Sequence, residues 1–438
     1  MTVSLTRFRK AQVHMDGWIH PDFKAVEATL RTILENYSGG AATCVFHQGQ
    51  CVADLWGGYS DAEQTPWNED TMAPSFSTTK GVASTLLHVF ADRGAINYDA
   101  RVADYWPEFG QNGKENITVR QVLSHQSGLY HIRQMIDRAD RMLDWNHMIQ
   151  AIEQSHPAHT PGTRTGYHGL TYGFLVGEII QRVSGKKFSR LVQTEIAKPL
   201  GLDGMYIGAP KKEIQRAAKL IFPGSTQKLS KTSFGRYAEL TASNISKMLR
   251  LVGRDSDLVS IFDALAPRGI SDFDFGSPES LRVAIPAGNG LFTARSLAKM
   301  YALLANGGEL EGQRLLSRKT LDVATTLQKP TGKQSVIPFD MRWRLGYHGV
   351  ATTRGFPPKA FGHFGFGGSG AWADPSEELS VALIVNSGLG SPFGDMRTAR
   401  IGGAALTSAR RRGRQQKSTA FSPEHSTVNS QGALLSGG

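Results

Sequence analysis

SFSTTKG, Ser75 to Gly81, sets a hydroxyl and an amine three residues apart, on Ser77 and Lys80, at the start of an apolar run. On a helix this spacing puts the two side chains one turn apart, so the amine can take the hydroxyl proton once burial or nearby charge lowers its pKa. The spacing occurs four times, at Ser77/Lys80, Ser184/Lys187, Ser225/Lys228 and Ser296/Lys299, so context has to choose among them. Ser184 stands at a glycine helix stop, Ser225 in a Pro223–Gly224 turn, and Ser296 within a helix already begun at Thr293. Ser77 differs: it follows apolar Phe76 and opens a helix marked by Val82, Leu86, Val89 and Phe90. At such a helix start the serine's own N–H and the helix dipole face a developing oxyanion.

Upstream of this stretch, Pro21 begins an amphipathic helix carrying Phe23, Val26, Leu30, Ile33 and Leu34, stopped by Gly39–Gly40. Ala41 to His47 and Cys51 to Trp56 then read as a β-hairpin around a Gln48–Gly49 turn. Near the other end, Gly370 to Asp374 and Leu379 to Asn386 are strands around Pro375, with a helical stretch from about Met396 to Ser408. Between the two ends the pattern is mostly helical, as in Leu175, Ile179 and Val183 before Gly185. The expectation is an α+β fold: an antiparallel sheet flanked by helices and built from both chain ends (1–95 and 285–408), with a mostly α-helical domain (96–284) inserted.

The 438 residues carry a net charge of +11. Arg410, Arg411, Arg412, Arg414 and Lys417 against Glu424 put four of those charges in a polar, Gly/Ser-rich end, so 409–438 is expected to be a disordered basic tail rather than a nucleic-acid surface. Neither an export signal nor an apolar run of spanning length is found, which points to a cytoplasmic protein without a membrane span. The two cysteines, Cys44 and Cys51, fall diagonally on one hairpin face rather than opposite each other, so no disulfide is expected.

With its neighbours, SFSTTKG resembles the nucleophile motif of serine β-lactamases, penicillin-binding proteins and, most closely, family VIII carboxylesterases. LSHQSGL (123–129), PGTRTGYHGLTYGFLVGEII (161–180), NGLFTARSLAKMYALLANGG (289–308) and FGHFGFGGSGAWADP (361–375) resemble the same family in order and spacing, over about residues 17–390. The resemblance implies a β-lactamase/transpeptidase-like fold and a serine acyl-enzyme mechanism. It gives Tyr167 of Tyr-His-Gly the place of the catalytic tyrosine that shares proton handling with Lys80, as phenolate or poised by a lysine cation. Gly169 stands where the family has an asparagine, beside His168, and His363 opens the third motif, Lys-Thr-Gly in lactamases, on an edge strand. Gly365 completes that motif, and the N–H of Phe366 joins that of Ser77 as oxyanion hole. His125 matches a position that supports loop structure.

Other patterns carry less. Gly365-x-Gly367-x-x-Gly370 runs into a strand instead of opening a dinucleotide-binding helix, and Pro330 spoils the Lys-Thr-Gly likeness of KPTGK at 329–333. His156/His159 and His125/His131 have no third ligand at metal-site spacing, so neither metal nor cofactor is expected. The implied substrate is a small carboxylic ester. The alternatives are acyl transfer from the same intermediate, weak β-lactamase or peptidase activity, and a catalytically silent binding scaffold.

Overall fold

The computed structural model describes residues 13–221, 258–329, 334–337, 340–388 and 395–420. Its centre is a seven-stranded sheet made of β1 (Met15–Ile19), β2 (Gly40–His47), β3 (Gln50–Gly58), β4 (His348–Gly349), β5 (Phe361–Phe364), β6 (Gly370–Asp374) and β7 (Leu379–Val385). The strand order is β1-β3-β2-β7-β6-β5-β4, with every neighbouring pair antiparallel. The chain ends are joined by β2 and β7, paired from Ala41↔Val385 to His47↔Leu379. Both strands are buried on both faces, which explains their nearly continuous apolar sequences.

One face is covered by α1 (Lys24–Asn36) and α6 (Met396–Ala420). Here Val26, Leu30 and Ile33 of α1 and Ile401 and Leu406 of α6 pack on Val45, Leu55, Trp372 and Val381. Burying each such side chain is worth about 1.5–3 kcal/mol. The other face receives α5 (Ala294–Ala305), beyond which lie α2 (Thr79–Asp92), α3 (Thr171–Ser184) and α4 (Leu258–Leu265). Every residue of α2 from Thr79 to Phe90 is buried, so this helix forms the middle of the molecule rather than a surface layer.

Three expectations are corrected or bounded. The third-motif strand, β5, is not at the edge: β4 pairs outside it, with His348 opposite Gly362. The tail boundary at residue 409 falls inside α6, which continues to Ala420 because Arg410 pairs with Glu377, and Arg411 and Arg412 reach Asp22. Residues 421–438, the Ser225/Lys228 match and Pro330–Lys333 lie outside the described residues. Among the described residues, no helix is long and apolar enough to cross a membrane.

Candidate active site

Ser77 stands in a 3-10 turn, Phe76–Thr78, that feeds directly into α2. Phe76 has φ +45°, a left-handed backbone that costs a non-glycine residue energy and is held by its surroundings. Ser75 N–H donates to Gly290 O at 2.8 Å, Gly290 N–H to Thr79 Oγ1 at 2.9 Å, and Thr79 Oγ1–H to Phe76 O at 2.5 Å. The segment before α5 therefore buttresses the serine turn.

Lys80 is fully buried one turn along, with Nζ 2.9 Å from Ser77 Oγ. Its other partners are two carbonyls, Gly169 O at 2.6 Å and Ala287 O at 2.9 Å. Burial holds its pKa well below the usual lysine range. As a neutral amine it has two N–H groups for those carbonyls and one lone pair for the serine hydroxyl. Tyr167 Oη donates to Ser77 Oγ from 2.9 Å. Burial raises the phenol pKa, and the bond to Ser77 only partly offsets that. Burial thus lowers the lysine pKa as the sequence reading required, and it disfavours the phenolate and the lysine cation that the resemblance left open for Tyr167, because a dry site penalises both charges.

Tyr167 follows a two-residue strand, Thr165–Gly166, and its ring stacks on Trp343 at 14° with centroids 5.8 Å apart. His125 grips the backbone on either side: Gly166 N–H donates to His125 O at 2.9 Å, and His168 N–H to His125 Nδ1 at 3.2 Å. His168 Nε2 receives Leu129 N–H at 3.1 Å and lies 2.7 Å from Ser127 Oγ, while Nδ1 lies 3.3 Å from His125 Nδ1. Both nitrogens of His168 are thus committed to the 125–129 loop, so it supports Tyr167 instead of facing substrate. Burial lowers its pKa to about 3. Gly169 has a steric cause: an added Cβ would lie 2.5 Å from Leu265 Cδ2 and 2.7 Å from Ala264 O of α4. Its carbonyl holds the lysine.

His363 on β5 is buried, with Nδ1 3.1 Å from Phe364 O and Nε2 without a hydrogen-bond partner. Its ring lies 4.8 Å from that of His348 and 6.4 Å from that of Tyr167. Burial, then the fields of His348 and Lys80, hold its pKa well below the ordinary histidine value. It is a neutral acceptor, not a substitute for a lysine cation. Gly365 allows contact with the serine turn, since a Cβ there would meet Ser75 O at 2.3 Å. Phe366 is half-buried and packs edge-on against Phe76, centroids 5.6 Å apart.

Sequence reasoning missed Arg397, at the start of α6. Its guanidinium is fully buried, donates to Gly367 O, Ser387 Oγ and Asp395 Oδ2, and lies 4.6 Å from the Tyr37 ring. Thr398 Oγ1 donates to Gly368 O at 2.7 Å, so α6 clamps the turn that follows Phe366. One arginine in a basic helix carries no sequence signal of this role. The rejected Ser296/Lys299 pair is placed elsewhere: Ser296 bonds Thr293, Gly204 and Asp203, while Lys299 pairs with Glu311 at 2.8 Å.

A helix-start serine meeting a dry lysine and a tyrosine, where an antiparallel sheet joins a helical layer, defines the β-lactamase/transpeptidase-like class. The chain belongs to the Beta-lactamase family, which it matches over residues 26–406. Among its relatives, Esterase/beta-lactamase LipL of Mycobacterium tuberculosis is 37% identical over 80% of this chain and 77% of that protein. A family VIII carboxylesterase structure superposes with a TM-score of 0.77 at 33% identity, covering 90% of this chain and all of the other. A penicillin-binding protein homologue from Caulobacter crescentus gives the same TM-score at 32% identity and the same coverage.

Proposed function

We propose that this protein is a serine carboxylesterase that works through an acyl-enzyme on Ser77. The observation that carries the reading is the convergence of Lys80 Nζ and Tyr167 Oη on Ser77 Oγ, each at 2.9 Å. Neutral Lys80 takes the serine proton as Oγ attacks the ester carbonyl, and the N–H groups of Ser77 and Phe366 receive the oxyanion. Collapse of the tetrahedral adduct expels the alkoxide, protonated from Tyr167, which recovers its proton from Lys80. Water attacks the acyl-enzyme by the same route in reverse and frees the acid. The names of LipL and of the carboxylesterase neighbour favour esters.

β-Lactams form the second substrate class because LipL is also named a β-lactamase. Two features favour esters here. A neutral His363 offers no cation to a drug carboxylate, and Gly169 offers no side chain to a drug amide, leaving polar groups unpaired at about 1–3 kcal/mol each. Moreover, the chain has neither a Ser-Asp-Asn motif nor an assignable class A glutamate to activate water against a bulky acyl-enzyme. The test is kcat/KM for p-nitrophenyl butyrate and nitrocefin on one preparation, with fluorophosphonate labelling mapped by mass spectrometry. Label on Ser77 and preference for the ester support the proposal. Equal or higher efficiency on nitrocefin overturns the substrate class, and absence of label on Ser77 overturns the mechanism.

A further inference from the structure

Cys44 and Cys51 are the only cysteines of the chain, and both are free. Cys51 pairs with Phe46 across the hairpin, and Cys44 lies two residues further along the same face of β2. Such diagonal neighbours ordinarily keep Cβ atoms about 7–8 Å apart or a little less. Yet the two sulfurs meet at 3.9 Å. The hairpin register shifts between them, and Val52 and Ala53 both pack into the core on the opposite face of the sheet. A bulge of this kind bends and twists the strand locally, here beside the thiol pair.

Access and polarity differ between the two thiols. Cys44 is buried, whereas Cys51 is half-buried and lines a cavity of about 500 Å³ together with Gln50, Asp203, Arg295 and Lys299. The hydrogen bond from Cys44 lowers the Cys51 pKa, against burial and the Asp54 carboxylate, while burial raises that of Cys44. The accessible sulfur is thus also the better thiolate, and thiolate character and exposure govern reactivity toward oxidants.

We propose that Cys51 and Cys44 form a redox-active thiol pair, oxidised by a small hydroperoxide that enters through this cavity. The Cys51 thiolate attacks the peroxide, the O–O bond breaks, and sulfenic acid forms as the alkoxide or hydroxide leaves to take up a proton. The Cys44 thiol then attacks the sulfenic sulfur, forming the S–S bond and releasing water. Each thiol loses one hydrogen, and the hydroperoxide is reduced to alcohol or water.

The experiment uses hydrogen peroxide on the full chain, read by intact mass and by non-reducing peptide mapping, with free cysteine oxidised in parallel. The expected result is loss of two hydrogens, a Cys44–Cys51 cross-link, and complete reversal by dithiothreitol. Cys44→Ser should accumulate a sulfenic acid at Cys51 that dimedone traps, and Cys51→Ser should leave Cys44 unoxidised. Melting curves establish that both variants are folded. Persistence of both thiols after the free cysteine is consumed, or equal oxidation of Cys44 in Cys51→Ser, overturns the proposal. No ester enters the assay, so its outcome is separate from that of the esterase reading.

Discussion

The imidazole of His125 packs on the phenol of Tyr167, centroids 5.0 Å apart, and the same histidine accepts the backbone N–H groups of both residues that flank the tyrosine. His125 itself has φ +60°, a left-handed conformation sustained by contacts with Tyr172 and Trp343 as well. Small misplacements of a proton carrier are costly, so His125→Ala should lower kcat on p-nitrophenyl butyrate by about 10–100-fold while KM moves little. Asn tolerates the left-handed backbone and offers an acceptor oxygen, so His125→Asn should recover much of that loss. Equal kcat in the two variants would refute a positioning role.

The proposed mechanism gives a pH dependence of definite sign. Lys80 must be unprotonated to accept the serine proton, and its pKa lies below the free lysine value, so kcat/KM should rise through that lowered pKa to a plateau. The raised Tyr167 pKa keeps the phenol protonated along the plateau, so no descending limb from its ionisation is expected below pH 10. A profile with an acid optimum would contradict the assignment.

Buried histidines should make the fold acid-sensitive. Burial lowers His88 and His348 to about 4 and His168 to about 3. The unfolded chain binds protons at these residues near pH 6.5, before the native state does, so their stability contribution is full above that pH and is lost as pH falls toward the folded values. Urea midpoints measured between pH 7 and 4 should fall steadily. A flat series would show these imidazoles to be solvated.

Arg397 should act on catalysis through the turn it holds. Arg397→Lys keeps a cation beside Asp395 but cannot reach Gly367 O and Ser387 Oγ together, so kcat should fall about 10-fold or more with a smaller change in KM. Arg397→Ala leaves the Asp395 carboxylate without its cation, next to a void, and should cost about 3–5 kcal/mol of stability, read from denaturant midpoints. A lysine variant with wild-type kcat would remove α6 from the account of catalysis.

Gly169 has no room for the asparagine that the motif resemblance would put at its position. Gly169→Asn should therefore lower both the melting temperature and kcat instead of restoring a lactamase-like contact, because its Cβ collides with the Ala264 carbonyl as well as with Leu265. A stable variant with improved nitrocefin turnover would show that α4 yields.

Much of this protein was legible in the chain itself. Helical periodicity and glycine stops located α1, α3 and α5, short β-rich runs bounded by turn residues located β2, β3, β6 and β7, and Phe76 with the apolar face behind it singled out Ser77 and Lys80. These are short-range signals, written within a few turns of chain. Only the tertiary structure decided the direction in which the pKa values at the site move, because burial of Lys80, Tyr167 and His363 depends on three layers meeting. It also decided that backbone carbonyls of Gly169 and Ala287 hold the lysine, that a two-residue strand covers β5, and that Arg397 braces a turn 30 residues earlier. Main-chain acceptors carry no residue code, and desolvation is a property of the packed surroundings rather than of any residue alone.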